Sequence, residues 1–221
     1  MWLLRPPGVY APQGDSELLL EALRYAAVPA GARMLDVFTG SGVVAFGGAR
    51  LGAAEVHAVD LSFRATLAAR WNAGLRGLPL TVHRGDFLDH AVGRFDVVSA
   101  NPPYVPTGHP ARTRKRRDRA WDAGEDGREC VDRLCRAAPH LLRAGGVLLM
   151  VHSDICDTRR TVRLLQEAGL KASVAARRRQ AFGPVLRRRA LLLEQKQLIA
   201  PGQREEELVV IRAELVSPAG A

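Results

Sequence analysis

Segments of strand length alternate with helical segments along most of this chain, and the alternation restricts the possible folds more than any other feature. The predicted strands begin at Met34, Glu55, Leu80, Phe95 and Val147. Strands that alternate with helices form a parallel sheet with helices on both faces, and such a sheet binds ligands at the carboxyl ends of its strands. We therefore expect one α/β domain that spans all 221 residues.

Capping residues, glycines and apolar spacing give the expected helices. Asp15-Ser16 and Ser62 are predicted N-terminal caps, and Gly145-Gly146 is predicted to end one unit before the strand 147–152 begins. The predicted helices are 15–26, a stretch from Val43, 62–75, 127–142 and 157–169.

The pattern changes beyond Leu170. Three further strands are predicted over residues 171–177, 190–199 and 208–215, with no long helix between them. The third follows the turn Ala200-Pro201-Gly202, within a C-terminal extension over residues 200–221. We interpret this third strand as an added edge strand or a dimer contact.

The strand that begins at Phe95 ends in Asn101-Pro102-Pro103-Tyr104. Neither proline can donate a backbone hydrogen bond, and the residue before a proline is driven out of the helical conformation, so carbonyls here stay free to accept. A planar –NH2 group fits such a pocket, with hydrogens directed to the Asn101 side-chain oxygen and the Pro102 carbonyl and Tyr104 over its face. The alternative is a simple turn, because asparagine and proline are common turn residues.

The first predicted strand ends in a small-residue loop. Gly40 and Gly42 allow close approach of a ligand to the backbone, and the helix that follows offers unpaired N–H groups. Asp36, just before the loop, suits a cationic ligand. The lysine of a phosphate-binding loop is missing, which argues against a nucleoside triphosphatase.

Acidic residues also follow the second and third strands. Asp60 could accept both ribose hydroxyls of an adenosine. Asp86 could accept from the adenine amino group, and Phe87 could stack on the base. Each acid alone could equally be a helix cap or a turn residue. Four successive strand ends with suitable chemistry favour the ligand site.

Together these motifs resemble class I S-adenosylmethionine (SAM) dependent methyltransferases of the HemK/PrmC type, which methylate the glutamine side-chain amide of peptide release factors. The similarity is to the short branch that lacks a separate N-terminal helical domain, and it covers about residues 8–195. The opening segment Val9-Tyr10-Ala11-Pro12-Gln13-Gly14-Asp15-Ser16 and the stretch 121–129 after the catalytic motif also match, in the same order.

The resemblance implies a Rossmann-like sheet of seven mostly parallel strands with an antiparallel C-terminal edge, into which the strands 171–177 and 190–199 fit. It implies SAM as the cofactor and residues 1–16 as a segment that covers it. The implied catalytic residues are Asn101, Pro102, Pro103 and Tyr104, of which Asn101, Pro102 and Tyr104 bind the substrate. The implied cofactor-binding residues are Ser16, Asp36, Phe38, Gly40, Gly42, Asp60, Asp86, Phe87 and Asn101.

Three positions depart from the family pattern. Phe38 stands where the family usually has glycine, so it could pack on the cofactor or push the loop outward. Gly14-Asp15-Ser16 stands where glutamate-aspartate usually precedes a threonine. The basic run from Arg112 to Arg119 is unusual after this motif and concerns the substrate rather than the chemistry.

The net charge of +9 and the pI near 10.4 are the main indication of a polyanionic partner. Arginines cluster in the run from Arg112 to Arg119, in 177–179 and in 187–189. These clusters could meet RNA phosphates, a ribosome surface or an acidic protein beside the substrate nitrogen. A solvated loop is the alternative.

The other composition features are less informative. Hydrophobic residues make up 47% of the chain, which excludes a disordered protein, and no apolar stretch approaches the length of a membrane span. The N-terminus is too short for a secretory signal, so we expect a cytoplasmic protein without membrane contact. Cys130, Cys135 and Cys156 match no metal-ligand pattern and are expected to be reduced thiols, with no metal bound.

We expect an N-methyltransferase that acts on a planar amide or amine nitrogen, with a release-factor glutamine as the favoured substrate and N5-methylglutamine as product. An adenine N6-methyltransferase on RNA or DNA is the first alternative, because the same motif suits an exocyclic base amine flipped from its stack. A small-molecule or peptide natural-product methyltransferase and a non-enzymatic RNA-binding protein also remain. The short branch often works with a small activator subunit, so such a partner is a further expectation.

Overall fold

A seven-stranded sheet forms the centre of the computed structural model, which describes residues 2–91, 93–107 and 123–216. The strands are β1 Arg33–Val37, β2 Glu55–Asp60, β3 Leu80–Arg84, β4 Phe95–Ala100, β5 Leu142–Ser153, β6 Lys171–Ala181 and β7 Glu205–Glu214. Their order is β3-β2-β1-β4-β5-β7-β6. β1 to β5 pair in parallel, whereas β7 runs antiparallel to both β5 and β6. The predicted seven-stranded, mostly parallel sheet is confirmed.

Helices cover both faces of this sheet, as predicted. They are α1 Gly14–Tyr25, α2 Val43–Arg50, α3 Phe63–Gly74, α4 Phe87–His90, α5 Glu129–Leu141, α6 Thr158–Glu167 and α7 Pro184–Gln195. Successive strand residues point to opposite faces. On β4, Val97 joins the core under α1, α2 and α3, while Val98 joins the core under α4, α5 and α6.

The predicted cap at Ser62 and the predicted helix start at Asp157 are confirmed, but the predicted cap at Asp15-Ser16 is not. The Ser62 hydroxyl accepts from the Ala65 N–H at 3.3 Å, and Asp157 accepts from the Arg160 N–H at 3.0 Å. At α1, however, the N-cap is Gln13. Asp15 and Ser16 lie inside the first turn, and their side chains are buried. They can therefore form hydrogen bonds with interior groups, but they do not cap the helix.

The Gly145-Gly146 pair does not separate a helix from a strand. β5 already begins at Leu142, and the glycines lie within it. Gly145 N–H donates to the Leu215 carbonyl at 2.7 Å, and a Cβ at Gly146 would lie 2.8 Å from the Phe95 carbonyl. Gly146 therefore allows β4 and β5 to approach closely.

The predicted strand 190–199 is wrong, because residues 190–195 form the second half of α7. Pro184 occupies the first turn, where its missing N–H costs nothing. Leu186, Ala190 and Leu193 are buried at helical spacing and pack with Phe182. Spacing of three and four residues distinguishes this helix from a strand.

The expectation that the strand 208–215 is an added edge or a dimer contact is also wrong. β7 lies between β5 and β6 and pairs with both of them. Leu208, Val209, Val210 and Ile211 are all fully buried, as is typical of a strand covered on both faces. Within the predicted C-terminal extension, this strand is an internal part of the sheet.

Some expectations fall outside the described residues: the basic run from Arg112 to Arg119, and Trp121 and Asp122 of the stretch 121–129. Cys130, Cys135 and Cys156 are free thiols, as expected. Within the described ranges, no helix has the length and apolarity needed to cross a membrane.

Candidate functional site

A cavity of about 1010 Å³ runs along the carboxyl ends of the central strands. Its size is suited to a small-molecule ligand. It brings together almost all of the predicted site residues: Ser16, Asp36, Phe38, Gly40, Asp60, Asp86, Phe87, Asn101, Pro102, Pro103 and Tyr104. Parallel strands place their ends at one edge of the sheet, which is why residues so distant in sequence share this cavity.

Gly42 is the exception among the predicted residues, since it is not part of the cavity lining. Its φ is +90°, and a Cβ there would lie 2.6 Å from the Phe46 ring. The residue is needed for the left-handed N-cap of α2 and for packing beneath the loop. Gly40, by contrast, lines the cavity, and a Cβ there would meet nothing within 4 Å.

Asp36 is a buried carboxyl group at the end of β1. It accepts from the Thr39 hydroxyl at 2.6 Å and from the Ser99 hydroxyl at 2.5 Å. Burial raises the pKa of Asp36 to about 6, although these two hydrogen bonds oppose the shift. A cation in the cavity would favour the ionised form.

Asp60 is held by the backbone at the end of β2. Its Oδ2 accepts from the Gly40 N–H at 2.9 Å and its Oδ1 accepts from the Ser62 N–H at 2.8 Å. Each oxygen retains a further lone pair, which is the capacity that two ribose hydroxyls need. Burial raises the pKa of Asp60.

Phe38 and Phe87 meet edge to face, with ring centroids 5.8 Å apart. Phe38 has a φ of +61°, a left-handed conformation that favours glycine, at the position where the HemK/PrmC type usually has glycine. Phe38 therefore packs on Phe87 at the cavity wall. Phe87 itself is 3% exposed, so it offers little of its face for stacking on a base.

Asp86 already has partners at the end of β3. It caps α4 by accepting from the Leu88 N–H at 3.0 Å, and it forms an ion pair with Arg133 of α5. The Arg133 guanidinium also lies 5.2 Å from the Phe87 ring centroid. Sequence reasoning missed Arg133, which reaches this wall from a helix 47 residues away in the chain.

The other end of the cavity contains the predicted motif Asn101-Pro102-Pro103-Tyr104 and is called the acceptor end below; the end with Asp36 and Asp60 is called the cofactor end. The Asn101 Nδ2 donates to the Ser16 hydroxyl at 3.4 Å, which turns the NH2 group of this carboxamide toward α1. The Tyr104 hydroxyl donates to Asp15 at 3.2 Å, and Tyr10 donates to the same oxygen at 2.6 Å. Burial and the Asp15 charge raise the pKa of both tyrosines, so both phenols stay protonated.

The main chain at Tyr104 is held by residues that the sequence analysis did not assign to the site. The Cys156 thiol donates to the Tyr104 carbonyl at 2.8 Å. A Cβ at Gly127 would lie 2.5 Å from that same carbonyl, so only glycine fits there. Arg128 is buried, pairs with Asp132, and donates to the Asp157 carbonyl at 3.0 Å. The glycines of the stretch 121–129 were the available signal for this close packing.

The chain's donor set fits SAM. The Ser41 hydroxyl is buried at the cavity and has no hydrogen-bond partner within the described ranges, which suits a carboxylate at the amino-acid end of the ligand. Asp36 suits its cationic groups, and Asp60 suits its ribose. The sequence analysis did not identify Ser41, because a serine between two glycines is also typical of a loop without a ligand.

Comparison with known proteins agrees with this fit. The family model of the methyltransferase small domain matches residues 1–115. A protein of Methanocaldococcus jannaschii named for protein N5-glutamine methylation is 32% identical over 176 residues, which is 80% of this chain and 88% of that protein. A release factor glutamine methyltransferase of Deinococcus radiodurans is 41% identical over 138 residues, 60% of this chain and 49% of that protein. The chain thus spans about half of that bacterial relative.

The fold is shared with solved structures. The chain superposes on one from the E. cuniculi Mtq2–Trm112 complex with a TM-score of 0.65 and 23% identity, covering 95% of this chain and 99% of that one. The family match confirms the predicted methyltransferase class and its cofactor, SAM. This chain belongs to the methyltransferase small domain family and is a class I SAM-dependent methyltransferase of the HemK/PrmC type.

Proposed function

We propose that this enzyme methylates the side-chain –NH2 of a glutamine in a protein, and that the protein is a peptide chain release factor. The observation that carries the proposal is the state of Asn101. Its NH2 group is turned to Ser16, so its oxygen, the acceptor atom of the carboxamide, is the one left for a substrate amine.

The residues of the acceptor end have separate tasks. Asn101 and the Pro102 carbonyl each accept one N–H of the substrate, which orients the nitrogen lone pair. Tyr104, held by Asp15, covers the flat amide. Bound SAM would supply a methyl group that is already electrophilic, so the protein needs to align and desolvate rather than to deprotonate first.

The names of relatives support a glutamine substrate. The Methanocaldococcus jannaschii protein, of which the chain covers 88%, is named for N5-glutamine methylation, and the Deinococcus radiodurans relative for methylation of a release factor. On this basis we also propose Asn101, Pro102, Pro103 and Tyr104 as the catalytic residues. Ser16, Asp36, Phe38, Gly40, Asp60, Asp86 and Phe87 are proposed to surround the cofactor, with Gly42 in support.

The arginine cluster 177–179 gives little support to an RNA substrate. Arg177 pairs with Glu207 at 2.5 Å, and Arg178 pairs with Glu21 at 2.7 Å. Arg179 lies 4.0 Å from Glu207. Carboxylates already neutralise this cluster, so a contact with RNA or the ribosome would depend on the run from Arg112 to Arg119 or on the cluster 187–189, in which Arg187 and Arg188 are exposed.

A protein partner is supported at the outer strand β3. Trp71 lies on α3 beside this strand, Leu75 is the C-cap of α3 one turn later, and both are exposed. Exposed apolar pairs next to an unpaired strand edge favour association. We propose that a small activator subunit covers this surface; the similar chain from E. cuniculi was likewise solved in a complex, Mtq2–Trm112. Replacing Trp71 and Leu75 with glutamate should abolish co-purification of such a subunit.

The substrate is tested with tritiated SAM. The enzyme is incubated separately with a release factor, with the same factor carrying a Gln→Ala change in its Gly-Gly-Gln loop, and with total RNA. We expect label on the unmodified factor alone. Label on RNA would instead favour adenine methylation, and label on the Gln→Ala factor would rule out that glutamine.

A further inference from the structure

Glu206, near the start of β7, is a buried carboxyl group that the proposed reaction leaves unused. The residue is 4% exposed and lines the same cavity as Asn101 and Tyr104. Gln180 donates to its Oε1 at 3.0 Å, whereas its Oε2 has no hydrogen-bond partner in the described part of the chain. A buried carboxyl oxygen without a partner is costly, so its retention calls for an explanation.

The Ser153 hydroxyl lies beside Glu206, but it donates to Asp154 at 3.3 Å. Burial is the main cause that raises the pKa of Glu206, and the charges of Asp15 and Asp154 add to it, whereas Gln180 and Ser153 act in the opposite direction as donors. Gln180 and Ser153 therefore stabilise the carboxylate in part, and Oε2 still has no hydrogen bond of its own among the described residues.

The sheet places Glu206 on the acceptor side of the cavity. β7 is antiparallel, so its first residues lie at the edge where the parallel strands end, with Leu208 opposite Ser153 of β5. In the sheet order, β4 lies between β1 and β7. The carboxyl group is therefore beyond Asn101 and on the side away from Asp36 and Asp60.

The same cavity also contains unpaired donors. α7 begins at Pro184 after the N-cap Gly183, and no side chain caps it. The N–H groups of Val185 and Leu186 lie in its first turn, where helical partners are missing, and both residues line the cavity. Gln180, which donates to Glu206, packs closely on Gly14, where a Cβ would lie 2.2 Å from the Gln180 Oε1.

We propose that Glu206 accepts a main-chain N–H of the protein substrate beside the target residue, while the first turn of α7 donates to the adjoining main-chain carbonyl. The inference rests on the proposed function, since it assumes that the amine belongs to a side chain of a polypeptide. One acceptor and donors that line the same cavity match the two polar groups of a peptide unit. A free amine would leave Oε2 unpaired.

The test is binding of a short glutamine peptide to the full chain saturated with S-adenosylhomocysteine, by calorimetry. The comparison peptides carry a main-chain N-methyl group at each residue next to the glutamine in turn. For the wild type we expect one such methyl to weaken binding by about 10- to 100-fold, the effect of a hydrogen bond to a charged group. E206A should bind the parent peptide as weakly as the wild type binds the methylated one.

Two variants serve as controls. E207Q changes the next residue, which faces the other way and pairs with Arg177, and it should behave as the wild type. E206Q keeps a carbonyl acceptor and should recover part of the affinity. Unchanged affinity for S-adenosylhomocysteine in E206A would show that the fold and the cofactor site are intact.

The outcomes separate this inference from the proposed function. If E206A still discriminates between the parent and methylated peptides, the inference is overturned while glutamine methylation stands. If the wild type binds and discriminates but transfers no methyl group to the peptide, the peptide site stands and the proposed function falls. If the wild type binds none of the peptides, both are overturned.

Discussion

The cofactor end and the acceptor end of the cavity are assembled in different ways. At the cofactor end, Asp36 and Asp60 each accept one hydrogen bond from the loop after their own strand and one from a neighbouring strand end, where Ser99 donates to Asp36 and Gly40 donates to Asp60. At the acceptor end, Asn101 meets Ser16 and Tyr104 meets Asp15, across 85 and 89 residues of chain. The sheet and its own loops thus hold the first end, whereas the second also requires the start of α1 to pack against the end of β4.

The two ends also differ in what they leave unpaired. The cofactor acids have protein partners on their oxygens before any ligand arrives. At the proposed acceptor end, the Asn101 NH2 group is paired with Ser16, and Glu206 Oε2 has no hydrogen-bond partner among the described residues. We infer that the cofactor end determines how tightly SAM binds, whereas the acceptor end aligns the substrate nitrogen.

The largest expected effect is on turnover in N101A. Loss of one aligned contact to the reacting nitrogen should lower kcat by about 100-fold or more, by analogy with oxyanion-hole deletions. SAM affinity should stay near the wild-type value, because the cofactor end is bonded separately. Single-turnover methyl transfer and calorimetry measure the two quantities. Unchanged methyl transfer would refute the assignment of the motif.

The reverse effect is expected for D60A. Removing the carboxylate that holds the Gly40 and Ser62 N–H groups should weaken SAM binding by about 10- to 100-fold, since hydrogen bonds to charged groups are lost. The rate at saturating SAM should change much less. The exposed Asp89 on α4 provides the control variant, D89A. A D60A enzyme that bound SAM normally but turned over slowly would break the division between the two ends.

A pH effect is expected at Asp36. Its pKa in the free protein is raised to about 6, and a cationic ligand favours the ionised carboxylate, so protonation competes with binding. SAM affinity should therefore fall as the pH falls through 6, by about tenfold at pH 5 relative to pH 7. Calorimetry over this range measures the slope. In D36N the slope should disappear; if it persists, another group is responsible.

The smallest expected effect concerns the stability of the cofactor loop. Both F38A and F38G remove the ring contact with Phe87, but only glycine adopts the φ of +61° without strain. F38G should therefore be more stable than F38A by about 1 kcal/mol, although glycine usually loses more backbone entropy than alanine. Urea unfolding monitors the difference. Equal or lower stability of F38G would show that the loop is not strained at this position.

Much of the fold was predictable because its signals are local. Strand length, caps such as Ser62 and Asp157, and the acids at the strand ends all follow from a few adjacent residues. The same holds for the cofactor loop and for the acceptor motif. The largest errors lie in the last fifty residues, where an amphipathic helix has apolar residues at 186, 190 and 193 and the sequence analysis predicts a strand. The smaller errors, at the Asp15-Ser16 cap and at Gly145-Gly146, concern only the ends of elements.

The sequence by itself determined the alternating architecture, the strand ends that carry the chemistry and the class of reaction. The tertiary structure decided that β7 enters the sheet between β5 and β6, and that Arg133 forms an ion pair with Asp86. It also decided that Asp15 accepts hydrogen bonds from two tyrosines and that Glu206 faces the cavity. The physical reason is that caps and strand periodicity are short-range effects, whereas strand order and buried polar pairing depend on which distant surfaces pack together.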